Sequence, residues 1–567
     1  MELLEQHFDT AFSAANGIQK LRELILTLAM QGKLVAQDPI DAPASRLLKE
    51  IEAEKKRLAK EGKIKAPKLL PEVSTDEVSH TLPEGWIWVR LGDVCSYIQR
   101  GKGPVYADFS LHRVVSQKCV RWYGLDIEPA RYIEPESLRK YEQIRFLKGG
   151  DILWNSTGTG TIGRACLVPD ELEPSGLVAD SHVTVVRALK ISPIFLWRWI
   201  QSPVVQSGIE SAASGTTNQI ELNTTTVVNH LMPLPPLDEQ YRIVAKIDQL
   251  MARCDALENL RNERKKKRLA THAAALSQLR DTTGNGSADD AWVFITQHFG
   301  DLHAVKENVV ELRKAILQLA VMGKLVSQNP NDPPAGELLK EIESEKKRLV
   351  KEGKIKAPKP LMPVMENEKP YQLPQGWEWV RVVDLVEVGT GSTPETTNRD
   401  YYNGSIPWYT SSATNDLFAA TPDKFITEKA IKETNCKVFP CGSLIVAMYG
   451  QGKTRGQISE IVIPGATNQA IAAMVFYASS LGIKKYLKYF FVKIYEEIRL
   501  LAEGAAQPNL NVGKIKDTIV PLPPLLEQHR IVTKIDCLMA LCDTLDERIN
   551  AATSKKTELL NSVMAQV

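Results

Sequence analysis

The chain is poor in cysteine and histidine, and neither residue type occurs in a recognisable cluster. It has 8 cysteines and 9 histidines in 567 residues, with no CxxC and no HExxH. The pairs Cys436/Cys441 and Cys537/Cys542 are five positions apart, which on a helix directs them to different faces. A disulfide framework is therefore excluded, and we predict no metal site and no catalytic residues.

Long apolar runs and a strong charge of one sign are also missing. No apolar stretch approaches the roughly 18 residues that span a bilayer. The amino terminus MELLEQHFDT is acidic and lacks the basic head of a secretory signal, so we expect a cytoplasmic protein. The formal net charge is only +2, so any nucleic-acid binding must come from local patches.

A long internal repeat is the main positive feature of the chain. Residues 31–68 match residues 322–359 at 29 of 38 positions without a gap. LPEGWIWVRLGDV at 82–94 resembles LPQGWEWVRVVDL at 373–385. PLPPLDEQYRIVAKID and PLPPLLEQHRIVTKID open stretches 233–257 and 521–545, which agree at 19 of 25 positions. One long unit is therefore used twice.

The middles of the two copies, about 84–232 and 375–520, agree poorly. Constant ends with divergent middles favour a scaffold that carries two separately specified reading surfaces. The middles mix short β-branched runs with Gly, Asn, Thr and Pro turns, which is typical of compact α+β domains. An enzyme with one active site has no need of this arrangement.

Apolar residues after each PLPP recur every three or four positions, which predicts a coiled-coil seam. The seam residues are Ile243, Ile247, Leu250, Cys254 and Leu257, repeated as Ile531, Ile535, Leu538, Cys542 and Leu545. Further helices are predicted over 18–34, 45–62, 309–325 and 336–353, and DTTGNGSADD at 281–290 predicts a flexible joint. We expect the first helices to lie beside the last, closing a pseudo-twofold ring.

Several of these elements together resemble a known family. LPEGW with its following strand, the G-x-G loops, the QIEL and QPNL stretches, PLPPLxEQxxIVxKIDxL and AMQGKL resemble the specificity subunit of type I restriction-modification enzymes. The resemblance covers nearly the whole chain, in two copies. One departure is that about 80 residues precede LPEGW, whereas many relatives start near it.

The resemblance implies an α+β fold in which two globular target-recognition domains are separated by long antiparallel coiled-coil helices. It places an amino-terminal conserved helical region at 1–80, recognition domains at 81–236 and 373–524, a central conserved helical region at 237–372 and a carboxy-terminal conserved helix at 525–567. Each domain is expected to read one half of a split double-stranded DNA target. The helices are expected to dock two methyltransferase subunits, which carry S-adenosylmethionine, and restriction subunits are further possible partners.

Glycine loops with amide, hydroxyl and basic side chains supply the candidate DNA contacts, because such groups suit phosphates and base edges. In the first domain they are Arg100, Lys102, Gln117, Lys118, Asn155, Ser156, Thr157, Thr159, Arg164, Thr217, Asn218 and Gln219. In the second domain they are Ser392, Thr393, Tyr409, Thr410, Tyr449, Gln451, Lys453, Arg455, Gln507 and Asn509.

Some patterns leave alternatives open. GQGKTRG at 450–456 resembles a phosphate-binding loop, but Ala447 stands where that pattern needs its first glycine. RNERKKKR at 261–268 fits either a solvated helix face or a contact with phosphate or an acidic partner. The tryptophans at 86, 88, 377 and 379 lie in the constant ends of the repeat, which we call the shared frame, and this favours core packing. A scaffold that binds only proteins is the alternative function.

Overall fold

The computed structural model describes residues 9–139, 141–158, 160–170, 176–213, 222–280, 287–356, 362–450, 453–478, 481–503 and 510–565. The chain folds into two compact units, Met1–Arg264 with Ala552–Val567, and Lys265–Ala551. None of the described helices is both long and apolar enough to cross a membrane.

In the first copy of the repeat, from Gly17 to Arg280, the described residues form eight α-helices and eleven strands. The helices are α1 (Gly17–Met30), α2 (Ala44–Lys60), α3 (Leu91–Val94), α4 (Pro135–Leu138), α5 (Pro193–Ile200), α6 (Pro203–Ala213), α7 (Thr224–Asn229) and α8 (Leu237–Arg280). The strands are β1 (Ile87–Arg90), β2 (Cys95–Arg100), β3 (Arg113–Val115), β4 (Val120–Arg121), β5 (Gly124–Leu125), β6 (Arg131–Tyr132), β7 (Ile152–Asn155), β8 (Ala165–Leu167), β9 (Leu177–Ala179), β10 (Val183–Ala188) and β11 (Leu231–Leu234).

The second copy of the repeat follows the same plan. Its helices are α9 (Ser287–Gln297), α10 (Phe299–Leu302), α11 (Lys306–Val321), α12 (Ala335–Lys351), α13 (Val382–Leu385), α14 (Glu428–Glu433), α15 (Leu481–Lys493), α16 (Tyr495–Glu503), α17 (Val512–Asp517) and α18 (Leu525–Met564). Its strands are β12 (Glu378–Arg381), β13 (Val386–Thr390), β14 (Tyr402–Tyr409), β15 (Phe418–Ala419), β16 (Lys424–Ile426), β17 (Val438–Phe439), β18 (Leu444–Ala447), β19 (Ile458–Ile461), β20 (Gly465–Thr467), β21 (Ile471–Phe476) and β22 (Ile519–Leu522).

The divergent middles share the order of four strands in their main sheet despite their poor sequence agreement, and the second adds β15 to it. The first is built on a sheet of order β2-β10-β7-β8, and the second on the order β13-β21-β18-β19-β15. Each also has a parallel pair, β3 with β9 and β14 with β20. The middles are mixed α+β domains, as the sequence predicts. The same backbone order can be kept by different apolar residues, because a core needs volume and pattern more than identity.

Each middle is closed by an antiparallel pair of strands from the shared frame. β1 pairs with β11, with Trp88 opposite Pro233, and β12 pairs with β22, with Trp379 opposite Pro521. Pro235 and Pro236 therefore follow β11 and precede the long helix α8, and Pro523 and Pro524 occupy the same place between β22 and α18. The entry and exit of each middle are thus held side by side.

The long helix α8 runs over residues 237–280, within the helical region that the family resemblance implies at 237–372, and α18 ends at Met564. α8 contributes residues to both compact units, so the predicted five segments do not coincide with those units. Ile243, Ile247 and Cys254 are buried in a core that also holds Ile18 and Ile25 of α1. The partner of the seam in this unit is therefore the short helix α1.

The predicted seam is one position too long in the first copy. Leu257 is 46% exposed, whereas its counterpart Leu545 packs against the core of the second unit. The spacing rule predicts which residues share a helix face, but the length of the packed region depends on where the neighbouring helix ends.

Ion pairs hold the short helix to the long one in the same way in both copies. Arg22 of α1 contacts Asp255 and Glu258 at 2.6 and 2.8 Å. Arg313 of α11 contacts Asp543 and Asp546 at 2.8 and 2.9 Å. These carboxylates raise the pKa of both arginines against the opposing effect of burial.

Of the four tryptophans predicted to pack in the core, Trp86 and Trp377 are buried as predicted, whereas Trp88 and Trp379 are only half-buried. Trp86 and Trp377 are each 6% exposed. Their indole N-H groups donate to Glu239 at 2.9 Å and Glu527 at 3.0 Å, in the first turns of α8 and α18. Burial raises the pKa of both carboxyls although each accepts this hydrogen bond. The frame is therefore fixed by the same polar contact twice.

The beginning of the chain lies beside its end in the first unit, as expected. Ala11, Phe12 and Leu24 share a cluster with Leu560 and Val563 of α18. Within the same unit, Arg261 of the basic run donates to the carbonyl oxygens of Phe12, Ser13 and Ala14, at 3.3, 2.5 and 3.1 Å. Arg261 of the basic run RNERKKKR therefore has a structural role.

The predicted joint at 281–290 is only partly a linker. Residues 281–286 lie outside the described residues, and α9 begins at Ser287. Ile295 of α9 is buried in a cluster with Ala275 and Leu276 of α8. Burial of these apolar residues stabilises a helix that the turn-rich composition did not predict.

Two buried histidines meet in the second unit. His272 of α8 and His303 are 1% and 3% exposed, and their Nε2 atoms are 3.2 Å apart. This distance suits one N-H donating to the lone pair of the other ring, not two cations. Burial, and then the neighbouring His303, lower the pKa of His272 to about 4; burial also lowers the pKa of His303.

We expect the second unit to lose stability as the pH falls from about 6.5 to about 4. Unfolded histidine binds a proton near pH 6.5, whereas the buried pair resists protonation, so the unfolded state gains protons first. The lowered pKa of His272 alone corresponds to about 3 kcal/mol. Hydrogen exchange of α8 and α11 amides between pH 7 and 4.5 measures this loss.

The substitution His272→Leu should flatten that pH dependence, and the exposed His298→Gln should leave it unchanged. An equal slope in wild type and His272→Leu would show that the buried pair does not cause the loss.

Candidate nucleic-acid interface

Four loops of the first unit converge at one edge of the domain, where strands of two sheets end. They follow β2, follow β3, connect β7 to β8 and connect β9 to β10. The Lys102 backbone N-H donates to the Ala179 carbonyl at 3.1 Å, and the Asp180 N-H donates to the Val115 carbonyl at 3.0 Å. The sheets β2-β10-β7-β8 and β6-β3-β9 thus bring together residues from four separate stretches of sequence.

Asn155 and Ser156 belong to this edge but are fully buried. The Asn155 side-chain amide donates to the Gln117 carbonyl at 3.1 Å, and the Ser156 hydroxyl is 2.5 Å from that of Thr184. β7 lies between β10 and β8, so the side chains at its end are enclosed. The structure places these two predicted contact residues beneath the loops, as supports.

Other predicted residues of the first domain carry the exposed polar groups. Lys102 and Lys118 are exposed, and Arg100, Gln117, Thr157 and Arg164 are half-buried. Arg164 donates to the Gly160 carbonyl at 3.3 Å within its own loop. The result is a surface of cations, amides and hydroxyls on short hydrogen-bonded loops, which we call the first loop surface (100–102, 116–118, 155–158, 160–164 and 180–182).

Two residues of the first loop surface, Thr161 and His182, were not among the predicted contacts. The Thr161 hydroxyl donates to the Gln117 side chain at 3.2 Å, and the Thr157 hydroxyl is 2.7 Å from His182 Nδ1. A Cβ on Gly158, whose φ is +99°, would overlap the Gln117 Oε1 atom. The turn residues around His182 were the available signal, but only strand pairing places them beside Thr157.

Seven of the predicted contact residues lie outside the described residues. They are Thr159, Thr217, Asn218, Gln219, Gln451, Gln507 and Asn509. Leu222, which follows three of them, donates its backbone N-H to the Ser156 carbonyl at 2.8 Å. Leu222 therefore lies at the same edge of the first domain as Ser156.

The second unit gathers the equivalent loops: those after β13 and β14, between β18 and β19, and between β20 and β21. The Asn468 N-H donates to the Tyr409 carbonyl at 3.0 Å, and the Met448 N-H donates to the Ala470 carbonyl at 2.8 Å. The Thr393 hydroxyl donates to the Gln469 side chain at 2.6 Å. We call residues 390–393, 409–412, 447–450, 453–457 and 467–470 the second loop surface.

Tyr409 is fully buried, which places it beneath the second loop surface. Its hydroxyl donates to the Ile463 carbonyl at 3.0 Å, and burial raises its pKa. Ser392 has a backbone role, because its carbonyl accepts from the Trp408 indole at 3.2 Å. Thr410 is half-buried and is fixed by its backbone N-H, which donates to Asp423 at 2.8 Å.

Among the predicted contacts of the second loop surface that the structure describes, Tyr449 and Lys453 are exposed and Arg455 is half-buried. The Tyr495 hydroxyl of α16 donates to the Lys453 carbonyl and so holds the loop from behind. The loop joins β18 to β19, which are adjacent antiparallel strands. A phosphate-binding loop joins a strand to a helix, so this geometry contradicts the nucleotide-binding alternative.

The side chains of both loop surfaces are suited to ligand recognition. In the part of the chain that the structure describes, no group of three or more His, Cys, Asp or Glu side chains is placed to hold a metal ion. Cations on the loops suit phosphate oxygens, and amides and hydroxyls suit base edges. The base-contact role of each exposed residue stays a prediction.

Comparison with known proteins agrees with this arrangement. The family model described as the type I restriction modification DNA specificity domain matches twice, at residues 83–265 and 374–553. The chain is 32% identical to the type I restriction enzyme EcoAI specificity subunit of Escherichia coli over 564 residues, which is 96% of this chain and 92% of that protein. It is 31% identical to the EcoEI specificity subunit of the same organism, over 96% and 93% of the two chains.

Solved structures give a weaker likeness. A crystal structure of the HsdS subunit from Thermoanaerobacter tengcongensis aligns with a TM-score of 0.45 at 19% identity, covering 86% of this chain and 99% of that one.

Proposed function

The chain belongs to the family of type I restriction-modification DNA specificity subunits, and from this premise we propose that its two domains each read one half of a bipartite DNA target. The observation that carries the proposal is the pair of loop surfaces. Each lies at the equivalent edge of its domain, at the ends of corresponding strands, yet the two have different side chains. One frame therefore offers two unlike surfaces to one type of ligand.

The exposed cations supply the sequence-independent part of binding. Lys102 and Lys118 in the first domain and Lys453 in the second stand on loops whose backbones are fixed by hydrogen bonds. Phosphate contacts of this kind orient a protein on the duplex, and amide or hydroxyl contacts then distinguish the bases. The buried Asn155 and Ser156 act indirectly in this scheme, by holding the loops in place.

Methylation is assigned to partner subunits in this proposal. The helices of the frame dock two methyltransferase subunits, which bind S-adenosylmethionine and transfer the methyl group to adenine. Restriction subunits join the same assembly. The specificity chain contributes target selection and the spacing between the two half-sites.

Binding of a split duplex at several salt concentrations tests the proposal against the scaffold alternative. Phosphate contacts release counterions, so the affinity of the reconstituted methyltransferase should fall steeply as salt rises. A scaffold that binds only proteins would show no salt-dependent DNA binding of its own.

Lys118→Ala should weaken binding to all duplexes and lower the slope of log affinity against log salt by about 1. Lys118 is exposed on the first loop surface, so its removal should cost a phosphate contact without disturbing the fold. Fluorescence anisotropy with a labelled duplex measures both quantities. Arg139→Ala is the matched control, because Arg139 is 78% exposed in the same domain but lies outside the loop surface. An unchanged slope in Lys118→Ala would remove Lys118 from the interface.

A further inference from the structure

The three residues between β9 and β10 and the three between β20 and β21 form the same turn. The His182 N-H donates to the Asp180 side chain at 2.8 Å, and the Ala470 N-H donates to the Asn468 side chain at 3.0 Å. Each turn is thus closed by the Asp or Asn side chain of its own first residue. We call residues 180–182 the first turn and residues 468–470 the second turn.

Neighbouring strands hold the two turns in the same way. The Ser156 N-H, directly after β7, donates to the His182 carbonyl at 2.9 Å. The Met448 N-H, directly after β18, donates to the Ala470 carbonyl at 2.8 Å. The backbone of each turn is therefore fixed at both ends, by its own first residue and by the central strand of its sheet.

A glycine also packs directly against each turn. Gly101 follows β2 and Gly391 follows β13. A Cβ on Gly101 would overlap the Ala179 carbonyl oxygen, and a Cβ on Gly391 would overlap that of Thr467. Only glycine permits this close approach of the two backbones, which sets the place of each turn on its loop surface.

The side chains that the two turns present are unlike. His182 is the third residue of the first turn, where the second turn has Ala470. Gln469 is the second residue of the second turn, where the first turn has Ser181. His182, Ser181 and Gln469 are exposed. Different half-sites require this combination, because side chains on a fixed backbone distinguish base pairs by the groups that they present.

One side chain of each turn is anchored by a hydroxyl from another loop. The Thr157 hydroxyl is 2.7 Å from His182 Nδ1, which leaves Nε2 of the ring for a ligand. The Thr393 hydroxyl donates to Gln469 Oε1 at 2.6 Å, which leaves the amide N-H groups and a second lone pair on Oε1. A side chain that is already oriented loses less conformational entropy when it binds.

Formation of the turns explains the presence of Asp180 and Asn468, but not the side chains of His182 and Gln469. The hydrogen bonds that close the turns use the side chain of the first residue and the backbone of the third. Substitution of an exposed side chain normally changes stability little. A difference between the two ligands therefore explains why these two side chains differ.

We propose that His182 and Gln469 are specificity-determining residues, each of which contacts one base pair in a different half-site, and that Thr157 and Thr393 position them. This inference rests on the proposed function and deepens it, because it names the groups that distinguish the half-sites. Gln469 presents an acceptor and a donor side by side, which matches the N6 donor and N7 acceptor of adenine in the major groove. His182 makes one hydrogen bond to a base edge through Nε2.

The test is DNA binding by the methyltransferase complex reconstituted with wild-type or variant specificity chain. A panel of split duplexes, each with one substituted base pair, gives the discrimination at every position. Gln469→Ala should reduce discrimination about tenfold or more at one A·T pair of one half-site and leave the other positions unchanged. His182→Ala should reduce it at one base pair of the other half-site.

Gln469→Glu gives a sharper result, because it keeps the oxygen that Thr393 contacts but replaces the N-H donors by an acceptor. A carboxylate accepts from the N4 amine of cytosine, so the preferred base at this position should change from adenine to cytosine. Thr393→Val should reduce discrimination at the same base pair and at no other. A merely structural role of Thr393 would not confine the loss to one base pair.

Asn435→Ala is the matched control, because it removes an exposed amide of the same domain outside the second loop surface. It should keep the wild-type preference at every position. Hydrogen exchange of β20 and β21 amides shows whether each variant is folded. Loss of protection in both Gln469→Ala and Gln469→Glu would give Gln469 a structural role and overturn its assignment.

For either residue, an unchanged preference at every position would overturn the assignment while leaving the proposed function intact. An equal loss of affinity for every duplex, with protection retained, would identify a general contact and would also overturn it. If the wild-type complex prefers no split duplex over another, the proposed function fails, and this inference fails with it.

Discussion

Exchanging the first middle for that of another specificity subunit should change one half of the DNA target and leave the other half as it was. Residues 84–232 were delimited from the divergence of the two copies. All four loops of the first loop surface lie between these limits, and none of the second does. We expect the sequence recognised at one half-site to change completely, because a single mismatched base pair already costs about 1–3 kcal/mol of binding free energy.

The structure improves the design of this exchange. A cut at 232 divides β11, which pairs with β1 through residues 87–90 and 231–234. Both strands of this ladder should come from the same protein, so residues 91–230 are the better segment. The equivalent segment of the second domain is 382–518, bounded by the β12–β22 pair.

Mapping methylated sites in host DNA measures the outcome. The reciprocal exchange of 382–518 is the control, and it should change the other half of the target. A change in both halves after either exchange would contradict modular reading.

Asp151→Ala should destabilise the first unit by about 3–5 kcal/mol, the usual effect of breaking a buried ion pair from one side. Asp151 is 0% exposed, and the Arg187 guanidinium donates to its two oxygens at 2.6 and 2.7 Å. Arg187 also donates to the Phe146 carbonyl at 3.0 Å. Without the carboxylate, the positive charge remains largely buried beside carbonyl oxygens alone.

Hydrogen exchange is the suitable measurement, because a chain with two compact units need not unfold in one step. Amides of β7 and β10 should lose about two to four orders of magnitude of protection. Amides of β18, which occupies the same place in the second sheet but has Ser443 at the position of Asp151, should keep theirs.

Asp248→Ala is the matched control. Asp248 pairs with Arg198 at 2.8 Å, but its side chain is 51% exposed, so the loss should stay below about 1 kcal/mol. Equal losses in the two variants would show that burial does not set the strength of the Asp151 pair.

The sequence is most informative where structure depends on neighbours along the chain. The burial of Ile243, Ile247 and Cys254 along one face of the long helix and the burial of Trp86 and Trp377 were predictable. Helix periodicity is a local property, so a repeated pattern reports it directly. The repeat also determined that two unlike surfaces share one frame, and the family resemblance added the expected ligand.

Tertiary structure alone decided which loop residues can reach a ligand. Asn155 and Tyr409 have the residue types of contact groups, but their strands lie within sheets and their side chains are enclosed. Thr161 and His182 gained a place on the first loop surface because strands distant in sequence end at the same edge. The seam of α8 likewise found its partner in α1, more than 200 residues earlier. Exposure depends on which distant segments pack together, and no pattern within one segment contains that information.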